Sequence, residues 1–502
     1  MFRRSPLAWL SLGSLTWLFS FGLGAIAWAE TIPFTLLHFN DVYEIMPIAG
    51  GKWGGLARVA TLRQRLKQEN PHTYTVLAGD LLSPSALGTA QVKGERLAGK
   101  QMVAVLNQLG LDYATFGNHE FDLSETEFLQ RLRESKFQWF SGNVTDKNGQ
   151  PFPQVAPYLL LSIPGQAGGQ VRVGVIGLTL NSNPANYVRY QEAIATARRQ
   201  IQALASQVDV WIAVTHLSLA QDQDLAAAIP ELDLILGGHE HENIQRGYLF
   251  VKKERPDCPR TMTPIFKADA NVKTVYLHRL TYDTEKRCLQ IQSQLQPITE
   301  HLPDDPATAE VAQYWQSLGF QAFRQSGFDP QEIIAYSPVV LNALDADVRS
   351  RSTNLTQLIG RAMLQESEAD LAVFNGGMIR LDDLISPGAI SQYDVIRLLP
   401  FGNRMVTVTM TGELLQKVLT QGAANQGTGG YLHWAGLNPQ TLQPKGIYRV
   451  VIPDFLLTSQ EVGLSFLTRQ SPGLVVLKEQ RDLRHVLVDY LKKVGQQAFE
   501  SQ

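Results

Sequence analysis

Five short apolar runs in the first half of the chain each stop abruptly at a carboxylate, an amide or an imidazole, and this feature most constrains the fold. The stops are Asn40-Asp41-Val42-Tyr43, Gly79-Asp80, Gly117-Asn118-His119-Glu120, Thr215-His216 and Gly237-Gly238-His239-Glu240-His241. Glycine flanks most of them, letting the backbone turn tightly and present the next side chain. The runs themselves predict strands at Phe34 to Phe39, Thr73 to Leu77, Tyr113 to Phe116, Val210 to Val214 and Leu232 to Leu236, with a further strand at Val171 to Ile176. Between them lie helix-period stretches at Leu56 to Gln68, Glu125 to Arg133 and Gln191 to Ser206. Strands alternating with amphipathic helices predict an α/β domain with helices packed on sheet. Ligands in such folds gather beyond the carboxyl ends of the strands. The five polar stops therefore line one rim.

The residue types at that rim suit a pair of divalent cations about 3.5 to 4 Å apart, with a bridging carboxylate and imidazoles completing each shell. Asp80 is the expected bridge. Asp41 and His241 are expected on one cation, and Asn118, His216 and His239 on the other. Taken singly, each motif is ordinary: a Gly-Asp turn caps helices, and a strand-end histidine is usually structural. It is their joint order that carries the reading. The remaining six of the 10 histidines, other than His119, lack such a setting.

At 502 residues the chain exceeds what one core usually organises, which predicts two domains. The catalytic unit is expected over 30–297 and a connector with a helix from Ala307 to Gln325 over 298–329. A second domain over 330–502 mixes helices (Asn354 to Gln365, Gly412 to Leu419) with strands (Met405 to Met410, Tyr448 to Ile452). A net charge of -3 gives no field for gripping a polyanion, so long nucleic acid is not an expected partner.

Arg3 and Arg4 precede an apolar run from Leu7 to Ala27 and then Ala27-Trp28-Ala29, the order of a secretory signal over 1–29 with cleavage near Ala29. An uncleaved anchor is the alternative, since the run is roughly long enough to span a bilayer. Cleavage would leave no membrane segment and a periplasmic or extracellular protein. An oxidising compartment would also let Cys258 and Cys288, the only two cysteines, form a disulfide; two buried thiols are the other reading.

The Gly117-Asn118-His119-Glu120-Phe121-Asp122 block resembles the calcineurin-like metallophosphoesterases, and within them the secreted 5'-nucleotidase and UDP-sugar hydrolase family. The resemblance extends through Val348-Arg349-Ser350-Arg351, Phe374-Asn375-Gly376-Gly377-Met378-Ile379-Arg380 and Leu399-Pro400-Phe401-Gly402-Asn403. It implies an α/β fold: an N-terminal metallophosphoesterase sandwich of sheets flanked by helices, plus a C-terminal α/β 5'-nucleotidase-type substrate-binding domain. It further implies two divalent metal ions (Zn, Mn, Co or similar), a nucleotide or other small phosphate-ester substrate, and His119 as a catalytic group oriented by Asp122. An imidazole held by a carboxylate suits that role, because it can donate a proton or stabilise developing charge.

By the same resemblance Arg349 and Arg380 contact the substrate's anionic groups, Asn375 its base or sugar, and Tyr431 stacks on the base. The second stacking ring is altered here, leaving Leu464 or Phe466 near its place. Where the family's first motif reads Asp-x-His, this chain has Asp41-Val42-Tyr43. A phenol with an ordinary pKa near 10 gives up its proton reluctantly, so Tyr43 is expected to pack rather than ligate. These two departures keep alternatives open: a secreted nucleotide-binding protein with impaired catalysis, or an exported hydrolase of other esters.

Overall fold

The computed structural model describes Met1, residues 30–182, 185–253, 260–495 and Phe499. The expected signal segment therefore lies outside the described residues, apart from Met1. Among the described residues no helix is long and apolar enough to cross a membrane.

Two sheets face each other in the N-terminal half. One has seven strands, in which Thr31–Phe39 pairs in parallel with the central strand Thr73–Ala78 and antiparallel with Thr274–Asp283. The parallel order continues through Tyr113–Thr115. The second has six strands, in which Gln170–Thr179, Val210–His216 and Leu234–Gly237 run parallel. The sheets are joined by apolar side chains from both, such as Phe34, Leu36 and Val76 against Val173, Ile212, Val214 and Leu236. Helix Leu56–Glu69 covers the outer face of the first sheet and Ala193–Leu204 that of the second. This is the sandwich flanked by helices that the family resemblance implies.

Parallel strands on neighbouring positions end at the same edge, so the turns after Phe39, Ala78, Thr115, His216 and Gly237 crowd together. Three of the residues in these turns, Asp41 (φ 52°), Asp80 (φ 58°) and His239 (φ 83°), adopt left-handed backbone, which non-glycine residues rarely do. Such conformations cost of order 1–3 kcal/mol each and persist where surrounding structure enforces them.

Helix Pro306–Gln325 is capped by Asp305 and carries proline at its first turn. It packs on helices Leu56–Glu69 and Lys100–Leu109. One apolar cluster continues from these helices, through Phe320 and Phe323, to Leu358 and Leu487 of the C-terminal half. That half is built on a five-stranded sheet in the order Leu432–Gly436, Leu371–Asn375, Ile447–Pro453, Arg404–Thr411, Leu474–Asp482. Cys288, at the start of the strand Cys288–Pro297, is held in a disulfide; its expected partner Cys258 lies outside the described residues.

Candidate active site at the domain junction

All six expected metal-ligating residues come to one rim, three from each sheet. Asp41, Asp80 and Asn118 follow strands of the first; His216, His239 and His241 end or follow strands of the second. Ligand atoms of Asp41, Asp80 and His216 lie within 4.8 Å of one another, and all three side chains are buried. His216 Nε2 is 3.2 Å from Asp80 Oδ2 and 3.9 Å from Asp41 Oδ1, while His241 Nε2 is 3.5 Å from Asp41 Oδ1. The ring of His239 stands edge-on to that of His216 at 5.3 Å, and its backbone N–H donates to Asp41 Oδ2.

Three of these side chains are aimed by a neighbour. His216 Nδ1 faces the Ala78 carbonyl at 2.8 Å, which turns Nε2 toward the carboxylates. Asn40 donates to Asp41 Oδ2 at 2.7 Å. His241 Nδ1 pairs with Asp382 of the C-terminal half, leaving Nε2 for the centre. Such partners fix the ring orientation of metal-binding histidines. Burial alone would lower the pKa of His216, but the Asp80 and Asp41 carboxylates lift it to about 9. The pocket thus demands positive charge, and its mixed oxygen and imidazole donors fit a pair of divalent cations.

Tyr43 does more than pack. Its ring is buried, yet its hydroxyl sits 3.2 Å from Asp41 Oδ1, 3.2 Å from Asp80 Oδ2 and 3.1 Å from His241 Nε2. Burial, then Asp80 and Asp41, push its phenol well above the ordinary value when no cation stands between them.

Beside the cluster, His119 Nδ1 lies 2.8 Å from Asp122 Oδ2, which also accepts from Ser83 Oγ at 2.8 Å. Burial opposes the charge on Asp122, but His119, Arg380 and Ser83 hold its pKa at about 2. Arg380 Nη2 stands against the same ring, 3.1 Å from Nδ1 and 3.0 Å from Nε2. The backbone N–H of His119 donates to Asp80 Oδ1 at 2.8 Å, tying this dyad to the expected bridging carboxylate.

A cavity of about 880 Å³ opens over these groups, lined from one side by Asp80, Asn118, His119, Asp122, His239 and His241, and from the other by Arg349, Asn375, Arg380, Asp382, Phe401 and Phe455. Arg349 is paired with Asp345, and Arg380 lies 5.7 Å from the centre of the Phe401 ring. Asn375 donates to Glu461 at 2.8 Å. Tyr431 is not among the lining residues; it stands edge-on to His433 at 5.2 Å. Leu464 is in the core, and Phe466 packs against that core under Lys417 Nζ, 3.9 Å from the ring centre. Phe401 and Phe455 are the aromatic rings on the C-terminal wall.

Comparison with known proteins bears on what this geometry belongs to. Residues 34–243 match the family profile described as calcineurin-like phosphoesterase, and residues 333–441 the one described as 5'-nucleotidase, C-terminal domain. The chain belongs to the 5'-nucleotidase family of calcineurin-like phosphoesterases. It is 26% identical over 488 residues to the 5'-nucleotidase of Homo sapiens, covering 88% of this chain and 81% of that one. It is 28% identical over 440 residues to the trifunctional nucleotide phosphoesterase protein YfkN of Bacillus subtilis; this is 79% of the present chain but only 28% of that longer protein. The solved structure of the 5'-nucleotidase precursor from Thermus thermophilus superposes with a TM-score of 0.70 at 24% identity, covering 92% of this chain and 96% of that one. As a member of this family the chain is a metal-dependent phosphoester hydrolase.

Three charged residues of this 5'-nucleotidase family member escape a reading of its sequence. Glu120, fully buried, accepts backbone hydrogen bonds from Asp80, Leu81, Leu82 and Gly117, clamping two ligand-bearing turns together. Lys267, also fully buried, donates to the carbonyls of Leu217 and Gly238 and pairs with Asp222 and Glu240, which fixes the His239 turn. Asp382 reaches His241 from the other domain. Only Glu120 carries a sequence signal, its place inside the Gly-Asn-His-Glu block.

Proposed function

We propose that the chain is an exported dimetal phosphoesterase that hydrolyses nucleotides to nucleoside and phosphate in the periplasm or outside the cell. The observation that carries this reading is the convergence of six metal-type side chains from two sheets on one rim, beside His119–Asp122 and under two arginines. The cavity's size is in the range of small-ligand pockets, which run about 300–1,000 Å³.

When bound, the cation pair supplies Lewis acidity, acidifying water and neutralising charge on the phosphoryl oxygens. Asp41, Asp80 and His241 would hold one cation, and Asp80, Asn118, His216 and His239 would hold the other. Arg380 and Arg349 present guanidinium donors, whose planar forks suit phosphate oxygens. An arriving phosphoryl group draws Arg380 away from the His119 ring, and with Nδ1 held by Asp122 the Nε2 of that ring is left to assist the leaving oxygen. Asp122 stabilises the ring in its charged form. Phe401 and Phe455 offer apolar faces on which a base can stack with little discrimination among bases.

The test is phosphate release from nucleoside monophosphates, UDP-sugars, cyclic nucleotides and simple phosphate esters, with manganese, cobalt or zinc added to the purified protein. Release that is fastest from nucleotides and abolished by chelation is the expected result. Equilibrium nucleotide binding without phosphate release under every metal would instead make this a binding protein.

A further inference from the structure

We infer that Asp345 sets how many phosphate groups the cavity accepts: by holding the Arg349 guanidinium it leaves the C-terminal wall fit for one phosphoryl group and unfit for a diphosphate chain. The inference rests on the hydrolase reading above and names the substrate class of that same site, phosphate monoesters in preference to pyrophosphate-bearing nucleotides.

A reacting phosphoryl group belongs over the rim of Asp41, Asp80 and His216, and an aromatic base belongs against Phe401 and Phe455 on the opposite wall. Arg380 spans the gap, with its Nη2 against the His119 ring and its guanidinium 5.7 Å from the centre of the Phe401 ring. The Arg349–Asp345 pair stands beside it. The Asp345 N–H donates to Asp382 Oδ1 at 2.6 Å, Asp382 pairs with His241 of the rim, and Asp345 is also within electrostatic reach of Arg380. Two free guanidinium forks here would welcome a second phosphate, because paired donors in a fixed plane match its oxygens. Only one is on offer. Arg349 Nη2 is already bridged to Asp345 Oδ2, so that pair adds no net charge. Glu461, which lines the same cavity and accepts from Asn375, brings a further carboxylate to the wall.

The pair is mounted rigidly. Asp345 opens the short helix Asp345–Val348 and Arg349 closes it, one turn later. The Arg349 N–H donates to the Asp345 carbonyl at 2.9 Å, and the Arg349 carbonyl accepts from the Gly427 N–H at 2.8 Å. Between them the Val348 carbonyl accepts from His433 Nε2 at 2.6 Å. The side chains of Arg349 and Asp345 are only 27% and 23% exposed, so water and salt screen their attraction less than at an open surface bridge.

Asp345 touches no reacting atom; it is a positioning residue that acts through Arg349. To use Arg349, a diphosphate must take it from Asp345, which leaves that carboxylate bare beside the ligand's own negative charge and next to Asp382. Stripping one partner from a shielded ion pair is costly. A monoester needs only the rim and Arg380, and meets no such penalty.

The experiment titrates manganese-loaded protein by calorimetry with two non-hydrolysable ligands, the phosphonate analogue of AMP and the methylene-bridged analogue of ADP. Wild type should bind the first at least as tightly as the second, despite the second's greater charge. Asp345→Asn should shift the ratio of affinities toward the ADP analogue by about 10- to 100-fold, the size of one charge–charge contact at a partly buried site. Asp345→Ser, which removes the charge without supplying an amide, should shift it the same way. Adding Arg349→Gln to Asp345→Asn removes the freed guanidinium and should return the ratio to the wild-type value. Because the ratio compares two ligands on one sample, a loss of folded protein does not move it. A wild type that binds the ADP analogue more tightly, a ratio unchanged in both single variants, or a gain that persists in the double variant would overturn the assignment. Phosphate release from AMP by the same proteins keeps the two readings apart: the predicted ratios without release remove only the hydrolase, and release with an unshifted ratio removes only the role of Asp345.

Discussion

Replacing Glu120 by glutamine changes one atom, and its effect can be worked from four hydrogen bonds. Oε1 accepts from Leu81 and Leu82 at 2.6 and 3.2 Å; Oε2 accepts from Gly117 and Asp80 at 2.5 and 3.0 Å. Whichever way the amide turns, its NH2 faces two backbone N–H groups and two buried donors lose their acceptor. Each lost acceptor costs about 1–3 kcal/mol, or about 2–6 kcal/mol together. Part of this returns, because burial and the nearby Asp80 charge already push the Glu120 carboxyl up to about 7, a strain the neutral amide relieves. The net loss should be about 2–3 kcal/mol, a large share of the 5–15 kcal/mol by which proteins are usually stable. The same bonds hold Asp80 and the Asn118 turn in register, so cation affinity should fall along with the urea midpoint. Urea unfolding followed by circular dichroism, with calorimetric titration of manganese, measures both. A Glu120→Gln protein with an unchanged midpoint and unchanged affinity would refute the claim that this carboxylate clamps the two turns.

Other outcomes follow from the same structure. His119→Ala should lower turnover by about 10²–10⁴-fold while metal content stays at the wild-type level, read by phosphate release and elemental analysis. Arg397 and Tyr393 grip the buried Glu44 carboxylate across the domain junction at 2.8 and 3.0 Å; Arg397→Met should cost about 3–5 kcal/mol in urea unfolding, and adding Glu44→Leu should recover much of it. Buried His38 and His433 have pKa values lowered by desolvation from 6.5 to about 3 and about 4. The folded protein then binds fewer protons than the unfolded chain between pH 6.5 and those values, so stability should fall as pH drops through that window and level off below it. His433→Gln, which keeps a donor for the Val348 carbonyl, should remove about 3 kcal/mol of that acid sensitivity in unfolding curves taken at pH 7 and pH 4.

How much of this was legible in the sequence depends on the range of the interaction that defines each feature. Strand ends were legible because an apolar run stopping at a ligand is a local signal: Thr73–Ala78, Val210–His216 and Leu234–Gly237 fall within two or three residues of expectation. The last begins later than its apolar pattern, because Asp233 turns back to accept from the Trp211 N–H. Lys267 was not legible, since its partners lie 27 to 50 residues away and nothing local distinguishes it from a surface lysine. Asp382 sits two residues beyond Arg380, in a stretch already of interest, but its contact with His241 exists only once the domains meet. The aromatic rings show a different limit. Tyr431 occupies the place the family pattern reserves for stacking, yet Phe401 and Phe455 line the cavity wall, a matter of side-chain direction that a motif does not encode.

The central claim is that two cations share Asp80. Anomalous diffraction from crystals of the protein soaked in manganese tests it directly. Two peaks about 3.5–4 Å apart, flanking the Asp80 carboxylate with Asp41 on one side and His239 on the other, are the predicted result. A single peak, or peaks away from Asp80, would contradict it.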